Sequence, residues 1–117
     1  SVHGLEIGRV RTDPAYEYRY QLTLIQRADR QTEVQGFAAI AISGIESGKA
    51  RRLALPELTG RDADRRLPLR FTYFQTLEGA FSLPPGFQPQ QIRVQAEIRT
   101  GRGQRTERTF DWIVPEE

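Results

Sequence analysis

Cysteine is absent from the 117-residue chain. That excludes disulfides, thiolate metal sites and cysteine nucleophiles. It leaves the compartment open, because it removes only the usual marker of secretion. Histidine occurs once, at His3. A serine or threonine nucleophile needs a positioned base, and His3, beside Gly4 at the start of the chain, is poorly placed to be one. No catalytic triad is expected, and no cofactor. No run of eighteen apolar residues exists, so nothing here has the length of a transmembrane helix. No signal-peptide pattern is present either. Lysine is nearly missing: of 17 basic residues, all but Lys49 are arginine. Arginine makes planar, bidentate contacts with carboxylates and phosphates, although GC-rich codon usage would produce the same bias. With 15 acidic residues and a net charge of +2, the balance is too even to imply nucleic acid.

What is present is alternation. Leu67, Leu69, Phe71 and Tyr73 recur at period two, the signature of one strand face. Glu78-Gly79 predicts a tight turn, after which Phe81 and Leu83 resume the pattern. Pro84, Pro85, Gly86 and Pro89 predict a corner where the chain leaves the sheet. Ile92, Val94, Ala96 and Ile98 bring it back. Upstream, Val2–Val10 reads as a strand with Leu5 and Ile7 on one face, ended by Asp13-Pro14. Tyr16–Arg27 places Tyr16, Tyr18, Tyr20, Leu22 and Leu24 on one face, with Ala28–Gln31 as a hairpin loop. Glu33–Ile45 is apolar on both faces, Val34, Ala38, Ile40 and Ile42 on one and Phe37, Ala39 and Ala41 on the other. Such a strand is central and covered, or exposed for a partner. Lys49–Leu55 is a short strand with Leu53 and Leu55 inward, and Pro56–Arg66 a polar loop. Thr100–Gln104 is a glycine hairpin, and Arg105–Val114 a last strand with Phe110 and Trp112 on one face.

These segments predict one all-β domain over residues 1–117, an antiparallel β-sandwich of about seven to eight strands, immunoglobulin-like in arrangement. A small β-barrel is the alternative. A chain of this length buries roughly two thirds of its unfolded surface, enough for a core without staples.

Candidate chemistry is sparse. Asp62 and Asp64, with Glu57 nearby, match no calcium-loop spacing and are expected to pair with Arg61, Arg65 and Arg66. Gly101-Arg102-Gly103 opens no helix, so it lacks the helix N-terminus of a nucleotide fingerprint. Arg99, Arg102, Arg105 and Arg108 form a candidate basic hairpin, which with Arg93 would make a stripe for nucleic acid. Glu97, Glu107 and Asp111 dilute it, and cross-strand ion pairs are the competing account. Tyr16, Tyr18 and Tyr20 are a ligand platform or, more commonly for such a row, core at the rim of a sandwich. The candidate partner surfaces are Phe37, Ala39 and Ala41, a flat strip of small residues around one aromatic, and Leu5 and Ile7 on the first strand.

Gly4–Val10 (GLEIGRV), Tyr18–Gln26 (YRYQLTLIQ), Leu69–Gly79 (LRFTYFQTLEG), Leu83–Gln95 (LPPGFQPQQIRVQ) and Phe110–Glu117 (FDWIVPEE) together resemble one family of uncharacterised proteobacterial envelope proteins. The resemblance implies a short cytoplasmic end, one inner-membrane helix, a coiled coil and a C-terminal periplasmic β domain, of which this chain, opening at Ser1, would be the excised last part. It also implies genes beside a bactofilin and a zinc-dependent peptidoglycan endopeptidase. It carries no functional residues. The expectation is a non-enzymatic periplasmic protein-interaction module, dimerised through a coiled coil and linking a bactofilin scaffold to cell-wall remodelling. Its partner would be an envelope protein such as a wall endopeptidase. Peptidoglycan or polysaccharide binding is the alternative, and nucleic-acid binding comes after it.

Overall fold

The computed structural model describes residues 1–10, 17–26, 32–55, 58 and 66–115. Eight strands run antiparallel: β1 (Val2–Arg9), β2 (Tyr18–Ile25), β3 (Val34–Glu46), β4 (Lys49–Ala54), β5 (Leu67–Phe71), β6 (Phe74–Phe81), β7 (Phe87–Ile98) and β8 (Gln104–Asp111). They form two separate sheets, β1-β2-β6 and β4-β3-β7-β8, with β5 also paired to β3. This is a sandwich, not a closed barrel, and its strand order is immunoglobulin-like. Expectations falling on Asp13-Pro14, Tyr16, Arg27–Gln31, Glu57 and Arg61–Arg65 lie outside the described residues.

The alternation does what period two requires. Tyr20, Leu22 and Leu24 of β2 face Val34, Ala38, Ile40 and Ile42 of β3 and Ile92, Val94 and Ala96 of β7 across a buried core. Leu22 and Val94 are fully enclosed; each such side chain contributes about 1.5–3 kcal/mol of burial. Leu5 and Ile7 of β1 face inward as read, opposite Leu22 and Tyr20. A register shift between Val2 and Gly4 lets even-numbered Val2 turn inward too.

Three turns follow from their residues. Ser47 and Gly48 both hold positive φ, 52° and 76°, the requirement of a two-residue hairpin loop. At Pro84–Phe87, the Phe87 N–H bonds the Pro84 carbonyl at 3.2 Å and Gly86 has φ 80°. That is a type II turn, with Pro85 presetting its first corner. The β7–β8 hairpin turns on Gly101 and Gly103, both at positive φ.

Three expectations fail here. Tyr73 does not share the face of Leu69 and Phe71: it lies beyond the end of β5 and is exposed. Glu78-Gly79 is not a turn: both residues lie inside β6, with Gly79 opposite Tyr20. A Cβ on Gly79 would fall 2.6 Å from the Tyr20 ring, so glycine is required by a tyrosine packed over it. The chain turns instead at Thr72-Tyr73, and there it changes sheet, since β5 pairs with β3 and β6 with β2. Nor does Pro89 leave the sheet. It lies in β7 opposite Gly44, next to a register shift and beyond the last β8 partner of β7, Gln91. A bulge at the end of a ladder is where a strand tolerates proline.

Candidate interaction surfaces

Each sheet ends in a strand with one unpaired edge on the same flank, β1 in one and β8 in the other. Arg108 joins them. Its partner across the ladder is the buried Val94, so it points toward the opposing sheet. There its Nη1 donates to the carbonyls of Val2 at 3.2 Å and His3 at 3.0 Å. Its guanidinium also lies 4.6 Å from the centre of the Phe110 ring. Past this clip the edges part into a groove of about 780 Å³, with Leu5, Ile7, Tyr20, Ile92, Phe110 and Ile113 in its lining. Ile113 is 69% exposed. Arg9, Arg19, Glu78 and Asp111 give the rim mixed charge. The predicted Leu5 and Ile7 therefore form one wall of an interstrand groove, with Ile7 buried at its floor and Leu5 half-buried.

The second predicted surface is the outer face of the other sheet. Phe37, Ala39 and Ala41 follow one another along β3, all half-buried. Phe37 stands between Pro68 of β5 and Glu97 of β7. Its ring is not bare: the guanidinium of Arg66 lies 4.4 Å from its centroid and that of Arg99 4.9 Å. Cation–π contact of this kind holds a guanidinium flat on the ring while leaving its N–H fork available. Beside them is a shallow depression of about 330 Å³, with Arg66, Phe37, Ala39, Gln95, Arg105 and Glu107 in its lining.

The basic hairpin does not form a stripe. Arg105 shares the outer face with Glu97 and Glu107, whereas Arg108 turns inward. Arg102 is at the tip. Arg93 is committed to Glu107, with Nη2 donating to Oε2 at 2.8 Å. Its Nε is 2.6 Å from Oε1, outside hydrogen-bond alignment and so an ionic contact. Gln95 Nε2 adds a bond of 3.0 Å to the same carboxylate. The Arg93 bond, then that from Gln95, pulls the Glu107 carboxyl below the usual range, and Glu107 in turn raises Arg93. Glu97 lies 3.7 Å from Arg99. Arg66 and Arg105 have no carboxylate partner among the described residues.

The tyrosine row is core where it is described. Tyr20 is buried, and its hydroxyl pKa is raised by that burial. Tyr18 stacks on Phe81 at 5.6 Å and meets Trp112 edge-on at 5.1 Å. Among the described residues no group of three or more His, Asp or Glu side chains could hold a metal ion. No helix among them is long and apolar enough to cross a membrane.

A family model, a family of unknown function (DUF6776), matches residues 1–94. The chain belongs to this family. No curated protein and no solved structure matches it significantly. The DUF6776 match spans β1 to β6 and β7 as far as Val94, and so covers Leu5, Ile7, Phe37, Ala39 and Arg66.

Two contributors to these surfaces were not legible in the DUF6776 sequence. Arg66 was read as a partner for loop carboxylates, yet it stands two residues before Pro68, the strand neighbour of Phe37. Ile113 falls within the expected last strand, Arg105–Val114, on the face opposite Phe110 and Trp112. It lies beyond the end of β8 and joins the groove wall instead. The only hint was its bulk at a position where alternation calls for a polar residue.

Proposed function

We propose that this domain is a non-enzymatic protein-interaction module, periplasmic and carried by a membrane-anchored envelope protein. The observation that carries this reading is the flank between β1 and β8. Two strand edges lie side by side without strand partners among the described residues, and an apolar groove opens beneath them. An added strand gains affinity from main-chain hydrogen bonds to such an edge and specificity from side chains entering the groove. The non-enzymatic reading is supported by the state of the ionisable side chains: at the surface Glu33 is paired with Arg70 and Gln35, and Glu107 with Arg93 and Gln95. The resemblance to bactofilin-associated envelope proteins supplies the setting, with a coiled coil for dimerisation and a wall endopeptidase as the envelope partner. That part of the reading is association by family and not geometry.

The test is photocrosslinking in cells, with the probe at Ile113 or at Ala39 of the full-length protein and adducts identified by mass spectrometry. A discrete adduct with another envelope protein from Ile113 is the expected result. Adducts confined to the protein's own chain from both positions would sink the proposal.

One observation favours polysaccharide or peptidoglycan binding as a second reading. Tyr73 and Phe74 are adjacent, 58% and 67% exposed, and exposed aromatics are what a sugar platform requires. Trp112, by contrast, is packed edge-on against Tyr18 and Phe81. Co-sedimentation with purified peptidoglycan that is lost in a Tyr73→Ala, Phe74→Ala variant would establish it; no sedimentation of the wild type would remove it. Nucleic-acid binding is the third reading, and the broken arginine stripe gives it no support.

A further inference from the structure

We infer that the outer face of the β4-β3-β7-β8 sheet carries a carboxylate-binding site built from Phe37, Arg66 and Arg105, and that its ligand is an acidic peptide segment. The site is separate from the β1–β8 groove. It arises because the fold brings together two features that are remote in sequence. Phe37 sits on β3, and Arg99 and Arg105 flank the β7–β8 hairpin. Register places Glu97 beside Phe37 and Arg105 beside Glu97, so all three strands meet in one row on one face.

Charge decides the ligand class. Arg66 and Arg105 border the depression with no carboxylate partner among the described residues, and Arg66 is held against the Phe37 ring. The carboxylates on this face are already engaged: Glu107 with Arg93 and Gln95, Glu97 with Arg99. Two guanidinium forks are therefore left over beside an apolar floor of Phe37 and Ala39. Guanidinium forks match carboxylates bidentately, and the apolar floor suits the methylenes of a glutamate. A polyphosphate chain fits less well. Glu97 and Glu107 line the same depression and would repel a continuous line of charge, while a peptide can present isolated carboxylates between neutral residues.

The test uses the folded 117-residue chain. A fluorescein-labelled peptide alternating Glu and Thr is titrated by fluorescence anisotropy, beside the same peptide with Gln for Glu and a single-stranded DNA oligonucleotide. Backbone amide shifts are followed in parallel by NMR. The glutamate peptide is expected to bind at least tenfold more tightly than the glutamine one, shifting Phe37, Ala39 and Arg105. Arg66→Ala with Arg105→Ala is expected to remove at least tenfold of that affinity, and Lys49→Ala, at the distant β3–β4 turn, to leave it unchanged. Equal binding of the two peptides, binding insensitive to the arginine changes, or no binding of either peptide would overturn the inference. Tighter binding of the oligonucleotide with a steep salt dependence would overturn it in favour of a general polyanion site. None of these outcomes touches the crosslinks from Ile113, so the groove reading stands or falls independently.

Discussion

The two flanks of the sandwich are closed in different ways. On the flank of β5 and β6, side-chain amides replace ladder rungs. Gln75 accepts from the Arg70 N–H at 2.7 Å and reaches the Pro68 carbonyl at 3.4 Å. Gln26 Nε2 donates to the Thr72 carbonyl at 2.6 Å, and the Gln26 N–H bonds the Tyr73 carbonyl at 2.9 Å. The chain itself also crosses between the sheets there, at Thr72-Tyr73. On the flank of β1 and β8 one arginine makes two bonds at one end, and the rest is open. A glutamine amide carries the same donor and acceptor as a peptide unit, so it can cap a strand edge against pairing. An arginine supplies donors only, which blocks the carbonyls it reaches and leaves every other group free. An unprotected edge is normally a hazard for a β protein. On the β1–β8 flank the edges adjoin the apolar groove, and the proposed partner binding rests on that coincidence.

The largest expected effect lies on the closed flank. Gly79→Ala would drive a methyl into the Tyr20 ring, and overpacking of this kind costs about 1–3 kcal/mol. Urea denaturation should show the loss, with the slope unchanged. A Tyr20→Ala, Gly79→Ala double variant should restore part of it relative to the sum of the single changes; strict additivity would mean that the two residues do not oppose each other.

Next come the bridges. Gln75→Ala removes both of its bonds and should cost about 1–2 kcal/mol, whereas Arg108→Ala should cost about 1 kcal/mol or less, since its carbonyl partners can turn to water. The sharper contrast is local. Amide hydrogen exchange should quicken in β1 for Arg108→Ala and in β5 for Gln75→Ala. Exchange that changes equally on both flanks in either variant would erase the distinction drawn between them.

The smallest effect is electrostatic. Glu107 is held below the ordinary carboxylate range by its bond from Arg93, and Glu33 by that from Gln35. A depressed folded-state pKa means stability that is fully present above the unfolded value, about 4.3 for glutamate, and lost as pH falls through the lower folded value. Both groups are exposed and screened, so the effect is small. A Tm series from pH 6 to pH 2 should show a shallower acid decline in Glu107→Gln than in the wild type. Identical declines would mean that the Arg93–Glu107 pair adds nothing to stability.

Much of this architecture was readable from residue order. Tyr20, Leu22 and Leu24 announce an inward face, and Ile92, Val94 and Ala96 another. The two-faced apolar pattern of Val34–Ile42 marks the strand that becomes the sheet centre, with β7 on one side and β4 and β5 sharing the other. Glycine was the hardest residue to read. Gly86 and Gly101 mark turns, but Gly79 marks the close approach of a ring from another strand, and both uses look alike in one dimension.

The sequence by itself determined the strand class, most of the inward faces and three of the turns, because alternation and positive φ are properties of a few neighbouring residues. Tertiary structure alone decided which sheet each strand joined, that Thr72-Tyr73 is a crossing between sheets, and which arginines lie against Phe37. Those depend on pairings between residues about thirty to a hundred positions apart, such as Phe37 with Glu97 or Arg108 with His3. No local pattern encodes such pairings, since a strand with one apolar face fits either sheet equally well.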